Sequence, residues 1–242
     1  MSNPPSHRGP APKDARLFGP DALPALAAAV ADLRWLLDHG YAIRSSVELV
    51  GNRHDLTRRQ RVAAARCVCT AAQAARRAAH ELTPEATRGR ELWLDGFNIL
   101  TTLETALSGG VILVGQDGCC RDATGVHRRY RKVEETVPAL KLVAETARHW
   151  GVLRCRWWLD EPMSNSGRLK ALLLDLAARE GWDWTAELTP SPDRVLARCG
   201  GIVATADSVV LDRCAAWVNL CGWIIRQRIP HAWRVDFSGS GP

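Results

Sequence analysis

Lysine is scarce in this chain of 242 residues: Lys13, Lys132, Lys141 and Lys170 stand alone among 32 basic side chains, the rest being arginines. The skew reads mainly as compositional bias and partly as suitability for phosphate, whose oxygens match a guanidinium fork. Also lacking is any C-x-x-C pair. Cys67 and Cys69 flank one residue, Cys119 and Cys120 are adjacent, and Cys155, Cys199, Cys214 and Cys221 stand singly in apolar runs. That spacing argues against a zinc site and for reduced, mostly buried thiols in a cytoplasmic protein. No apolar run reaches membrane-spanning length, and the Pro-rich start carries no signal-peptide apolar stretch, so neither a membrane protein nor a secreted one is expected. No Gly-x-Ser-x-Gly or Cys-His pairing points to acyl transfer. Gly109-Gly110 and Gly200-Gly201 lack both the full glycine pattern and the Lys-Ser/Thr of a phosphate loop.

What is present is enough to build a core, with 46% hydrophobic residues, a net charge of +6 and a pI near 9.1. The basic excess suits a polyanionic partner, and equally a set of solvated arginines. Residues 1–20, Pro-rich and without an apolar period, read as a disordered leader. Residues 21–89 read as a helical module. Leu23, Leu26, Ala27, Val30, Leu33 and Leu37 recur at helical spacing. Tyr41 to Val50 is a mixed stretch ending at a Gly51-Asn52 turn, and Thr57 caps a helix running to His80. Arg53, Arg58, Arg59, Arg61 and Arg66 make the first half of that helix basic, as a phosphate-contacting face or a solvated one.

From residue 90 to 229 short apolar strands alternate with helical patterns, the signature of a mostly parallel sheet covered by helices, a three-layer α/β/α fold. Strands are expected at Leu92 to Leu94, Val111 to Val114, Cys119 to Asp122 (returning from an Asp117-Gly118 hairpin), Arg154 to Leu159, Trp182 to Leu188, Ile202 to Thr205 and Trp223 to Arg228. A helix is expected from Val209 to Leu220. Around Tyr130, the segment His127 to Lys132 contributes Arg128, Arg129, Arg131 and Lys132. Residues 230–242 read as a tail.

The chemistry is expected at the strand ends. Asp95, Asp160 and Asp207 each follow an apolar strand, and Asp193 opens the helix before the strand of Asp207. In a parallel sheet all carboxyl ends lie on one edge, so these residues should converge there. Clustered carboxylates repel, and a hard cation such as Mg²⁺ or Mn²⁺ offsets that cost. Such a cation can lower the pKa of a bound water and stabilise charge on a phosphoryl group, which points to phosphodiester hydrolysis. Asn98, Ser164 and Ser166 are candidates to orient water or carboxylates, or to cap their helices.

These residues resemble a family. Asp95-Gly96-Phe97-Asn98 after a strand is similar to the opening Asp-x-x-Asn motif of PIN-like, NYN-related nucleases. Pro192-Asp193-Arg194-Val195-Leu196 and Thr205-Ala206-Asp207-Ser208 look like their later acidic motifs. The run through Asp117-Gly118, Arg121-Asp122 and Ser164-Asn165-Ser166-Gly167 resembles a little-characterised archaeal and bacterial branch with a helical domain in front. The resemblance implies a metal-dependent ribonuclease in which Asp95, Asp160, Asp193 and Asp207 hold Mg²⁺ or Mn²⁺ and arginines, Arg121 among them, steer RNA. The chain departs from the pattern at Val209, where the family often has a second acidic residue; Asp212, one turn on, is a substitute to test. The alternatives are a non-catalytic RNA-binding adaptor with the same fold, or a phosphatase of small metabolites. Self-association into a homo-oligomer is left open.

Overall fold

The computed structural model describes residues 7–123 and 130–239. Short helix α1 (Asp14–Leu17) precedes α2 (Leu23–Asp38), α3 (Ile43–Arg53), α4 (Arg58–Cys67) and α5 (Ala71–His80). There follow β1 (Glu91–Asp95), α6 (Gly96–Leu107), β2 (Ile112–Val114), β3 (Cys120–Asp122), α7 (Thr136–Trp150), β4 (Arg154–Asp160) and α8 (Ser166–Glu180). The chain continues through β5 (Trp184–Thr189), α9 (Pro192–Leu196), β6 (Ile202–Ala204), α10 (Ser208–Leu211), α11 (Leu220–Arg228) and β7 (Arg234–Asp236). Residues 1–6 of the expected leader, His127, Arg128 and Arg129 of the basic segment, and residues 240–242 of the tail lie outside the described residues.

The expected three-layer α/β/α architecture is present. Four parallel strands in the order β5-β4-β1-β6 form the main sheet. Period-two alternation divides its faces. Leu92, Leu94, Cys155, Trp157, Leu159, Ile202 and Ala204 point into a core shared with α6, α7, α8 and α11. Trp93, Trp158 and Val203 point the other way, against Leu196 of α9, Val210 and Leu211 of α10, and Trp217. The indole rings of Trp93 and Trp158 stack at 5.3 Å on that second face.

Several elements differ from the sequence expectation, each for a local physical reason. The strand at Val111 to Val114 does not join the main sheet. It pairs antiparallel with β3, across the expected Asp117-Gly118 hairpin, and parallel with β7, which lies in the segment expected to be a tail. Val111, Leu113, Val235 and Phe237 of this small sheet share a core with Leu26, Val30 and Leu33 of α2 and Ala63 and Ala64 of α4. The helical module therefore owes part of its hydrophobic burial to strands that follow it in sequence, one of them near the end of the chain.

The single basic helix expected from Thr57 to His80 is two helices, because two capping boxes occur. Thr57 and Gln60 start α4, and Thr70 and Gln73 start α5, each Thr hydroxyl accepting from the Gln backbone N–H while the Gln side chain accepts from the Thr backbone N–H. Residues 43–53, expected as a mixed stretch and turn, form α3. Gly51 is buried there because a Cβ would lie 2.5 Å from Nε of Arg61. Residues 7–20, expected to be a disordered leader, pack instead: Leu17 and Phe18 are buried, and the buried Asp14 accepts from Arg59 at 2.6 and 2.9 Å.

The segment Trp223 to Arg228, expected as a strand, lies in α11. Asn219 caps it by accepting from the Gly222 N–H, and Leu220, Cys221, Ile224 and Ile225 supply one buried helical stripe; a short apolar run does not by itself distinguish the two periods. The helix expected from Val209 to Leu220 stops at Leu211, and Trp217 beyond it bridges to Glu81 and Val203.

A buried ionic network ties module to sheet. Asp117 accepts from Arg77 of α5 at 2.5 Å and, in a bidentate pair, from Arg121 of β3 at 2.8 and 2.6 Å. Arg77 also reaches Asp212 at 2.7 Å, and its carbonyl accepts from the Trp217 indole at 2.8 Å. Burial pushes the Asp117 carboxyl up, but Arg121 and Arg77 outweigh it and hold the group below the usual carboxylate range. With Arg77 only 2% exposed, the substitution Arg77→Met should cost roughly 3 kcal/mol, because it strands charge on Asp212 and weakens Asp117. Urea denaturation should separate it from Arg179→Ala, whose exposed pair with Asp175 is worth less than about 1 kcal/mol; equal losses would contradict this account of the network.

Candidate functional site

The site lies at the carboxyl edge of the main sheet, on the Trp93–Trp158 face. Asp95 follows Trp93 by two residues and Asp160 follows Trp158 by two, so the strand period turns both carboxylates to the side of the stacked indoles. Thr205 follows Val203 by the same step and carries the chain to Asp207. Asp193 arrives from above: α9 packs against β1, β4 and α10, with Leu196 buried and Asp193 in its first, solvent-facing turn. Gly96 lets the chain turn from β1 into α6, since a Cβ there would sit 2.4 Å from the Leu159 side chain.

Thr205 organises the centre. Its hydroxyl donates to Oδ2 of Asp95 at 2.7 Å and accepts from the Asp207 backbone N–H at 2.9 Å. Asp207 in turn caps α10, accepting from the N–H groups of Val209 and Val210 at 2.8 and 3.2 Å. The Thr-x-Asp spacing thus couples the buried carboxylate of one strand to the loop after another.

The electrostatics are those of charges sharing a site. Burial pushes the Asp95 carboxyl from 3.8 to about 7; the Thr205 hydroxyl opposes this, while Asp207, Asp193 and Asp160 add to it. Asp160 is raised by burial and by Asp193 and Asp207, and Asp193 by burial and by Asp207. Within the sequence-predicted set, Asp95 thus feels the other three carboxylates, Asp160 feels Asp193 and Asp207, and Asp193 feels Asp207. Among the described residues, no Arg, Lys or His forms a salt bridge to any of the four.

Other acidic residues are engaged differently. Asp212 is held by Arg77 and by Gln73 at 2.7 Å, away from the cluster, so it does not replace the acid absent at Val209. Val209 itself is 45% exposed. Asp122 pairs with Arg66 at 3.3 Å.

The donor set suits a hard divalent cation by its chemistry, being hard oxygens that no cationic side chain among the described residues pairs with. As they stand, no three His, Cys, Asp or Glu side chains among the described residues converge closely enough to hold a metal ion. Repulsion among the carboxylates and the capping bond of Asp207 both work against convergence.

The auxiliary residues divide. Asn98, on α6, lines a cavity of about 330 Å³ together with Asp207, Ser208, Arg66, Arg77 and Arg121. Ser166 is buried and donates to the Glu161 carbonyl at 3.2 Å, a role within its own loop, and Ser164 is exposed. Of the predicted nucleic-acid contacts, Arg59 is committed to Asp14, and Arg61 to the Leu56 carbonyl and Asn52. Arg121 is buried against Asp117 and donates to the Ala206 carbonyl at 2.8 Å. Arg58, Arg131 and Lys132 are exposed. Arg131 and Lys132 line a separate cavity of about 440 Å³ with Tyr130, Asn165 and Arg168. Sequence reasoning named Arg66 only as one of the basic residues of the helix from Thr57 and did not single out Arg77 or Arg168; an arginine among many carries no local signal of where it points.

The fold and site define an α/β protein with an acidic sheet edge, preceded by a helical module. The chain belongs to the family described as "Domain of unknown function (DUF5616)", whose profile matches residues 84–223. The module matches a second profile, "Protein of unknown function (DUF434)", over residues 25–79. The two matches meet between α5 and β1. "Uncharacterized protein MJ0935" of Methanocaldococcus jannaschii is 24% identical over 180 residues, covering 74% of this chain and 86% of that protein. No solved structure matches the chain.

The raised Asp95 carboxyl makes the stability of the metal-free protein depend on pH. Below about pH 4 both folded and unfolded chains hold the proton and the group has no effect. As pH rises the unfolded chain releases it first, so stability falls through the interval up to about pH 7 and levels off beyond, a loss on the order of 4 kcal/mol. In urea titrations with a chelator present, Asp95→Asn should flatten this part of the profile. Parallel profiles for the two proteins would show that Asp95 is not buried as described.

Proposed function

We propose that this protein is a metal-dependent ribonuclease with a PIN-like site, acting in the cytoplasm, where its eight free cysteines stay reduced. The observation that carries the reading is the unneutralised acidic set Asp95, Asp160, Asp193 and Asp207 on one sheet edge, beside a cavity walled by arginines. No helix among the described residues is long and apolar enough to cross a membrane.

Asp95, Asp160, Asp193 and Asp207 would hold Mg²⁺ or Mn²⁺. When bound, such an ion supplies an activated water and offsets the charge that builds on phosphorus. The chain's own residues do the rest. Hydrolysis joins a water oxygen to phosphorus, breaks the phosphorus bond to a ribose oxygen, and moves a proton from the water to the leaving oxygen. Burial and the neighbouring carboxylates raise Asp95 in the metal-free protein, and a bound cation would favour its ionised form as a ligand. Thr205 holds the Asp95 oxygen in one orientation, and Asn98 at the cavity wall is available to orient substrate or water. Arg58, Arg131 and Lys132, exposed and basic, supply a salt-sensitive attraction for the strand. They do so with Arg168 at the second cavity.

Two observations favour a second reading, a non-catalytic RNA-binding protein on the same fold: Val209 stands where the related motif often has an acid, and among the described residues no three carboxylates converge as they stand.

The purified full chain should cleave single-stranded RNA with Mn²⁺ or Mg²⁺ and stop on chelation. Asp95→Asn and Asp207→Asn should each lower the rate by more than about a hundredfold while leaving RNA binding in place. Salt-sensitive binding of RNA without cleavage, and without any metal-dependent rise in melting temperature, would instead establish the second reading.

A further inference from the structure

The cavity between the helical module and the acidic edge is lined by arginines that the carboxylate chemistry does not use. Arg66 comes from α4, Arg77 from α5 and Arg121 from β3, and Asp207 and Asn98 close the side facing the sheet edge. The volume, about 330 Å³, sits at the small end of ligand pockets, room for one nucleotide unit and not for a duplex.

The arginines differ in how they are held. Arg77 and Arg121 are fixed by Asp117 and Asp212. Those two carboxylates are not among the groups lining the cavity. Both residues line the cavity, and a guanidinium has five N–H donors, more than the two bonds made by Arg77 or the three made by Arg121 consume. Arg66 is less committed. Its contact with Asp122 is a single one at 3.3 Å, and its Nε is buried without a hydrogen-bond partner among the described residues. An enclosed donor with no acceptor is costly, and with its side chain still 26% exposed Arg66 has uncommitted donors to offer an anion. A phosphate group is the anion that a guanidinium fork fits with paired bonds. Acetate-like ligands would also pair with Arg66, but would leave much of the wall formed by Arg77 and Arg121 unused.

From this geometry we infer a phosphate-binding subsite in the Arg66–Arg77–Arg121 cavity, which anchors one phosphate of a nucleotide chain beside Asp207. The position next to the acidic edge gives the subsite a use only if the carboxylates are the cleavage site, and in that respect the inference rests on the proposed ribonuclease reading. Its binding function does not. Either a phosphate within the strand or a monophosphate at its end presents this chemistry.

The test uses the full chain in chelator, so that cleavage cannot intervene. Inorganic phosphate, titrated by calorimetry and by melting temperature, should bind saturably to the wild type and to Asp95→Asn. Arg66→Gln should weaken the affinity at least about tenfold, and Arg66→Lys, which keeps a charge toward Asp122 but loses the fork, should fall between. Circular dichroism establishes that each variant is folded, and if Arg66→Gln is not, the Arg66→Lys comparison stands alone. Unchanged phosphate affinity in the folded Arg66 variants, or no saturable phosphate binding by the wild type, overturns the subsite.

Single-stranded RNA oligonucleotides with a 5′-phosphate, a 3′-phosphate or neither then distinguish the sources. An Arg66-dependent preference for one phosphorylated end assigns the subsite to a terminal group, and equal Arg66-dependent affinity assigns it to the strand backbone. Phosphate binding without metal-dependent cleavage would refute the ribonuclease reading and keep the subsite; cleavage indifferent to Arg66, with no phosphate bound, would do the reverse.

Discussion

The ion pair that the rest of this structure depends on is the clamp of two arginines on the buried Asp117. Asp117 sits in the turn of the β2–β3 hairpin, Arg121 returns to it along β3, and Arg77 reaches it from a helix of the N-terminal module. A buried carboxylate alone would be expelled or neutralised. Held by two guanidiniums it stays ionised, and it fixes three chain segments relative to one another. The same Arg121 donates to the Ala206 carbonyl, the residue before Asp207. The module is thus coupled, through two side chains and one backbone bond, to the loop that carries part of the acidic edge.

That clamp also separates the acidic residues into two kinds. Asp14, Asp117, Asp122 and Asp212 each lie against an arginine, and their charge is spent on holding elements together. Asp95, Asp160 and Asp193 are raised by burial and by neighbouring carboxylates. Concentrating like charge where the sheet cannot neutralise it is destabilising, and such an arrangement is what a site for a cation or a proton transfer requires. The contrast between paired and unpaired carboxylates is a stronger sign of function here than any single aspartate at a strand end.

Much of this could be read in advance where the signal is local. The strands at Leu92 to Leu94 and at Arg154 to Leu159 and the turn at Asp117-Gly118 follow from side-chain pattern and turn chemistry over a few residues. The misreadings are equally specific. Trp223 to Arg228 is too short to reveal its period. The break between α4 and α5 turned on noticing a second Thr-x-x-Gln box. Residues 7–20 look solvent-like because the partner that orders Asp14, Arg59, stands in another helix 45 positions away.

Strand-end placement of Asp95, Asp160 and Asp207, and their assignment to one edge of a parallel sheet, belong to the order of residues along the chain, because a parallel sheet sends every strand's carboxyl end the same way. Which aspartates are neutralised and which are not was decided by tertiary structure alone. Arg77 finds Asp212 across 135 positions and Asp117 across 40, and no local pattern encodes such a pairing. The physical reason is that hydrophobic period acts through neighbours in sequence, whereas the fate of a charge depends on whatever the completed fold brings within a few ångströms of it.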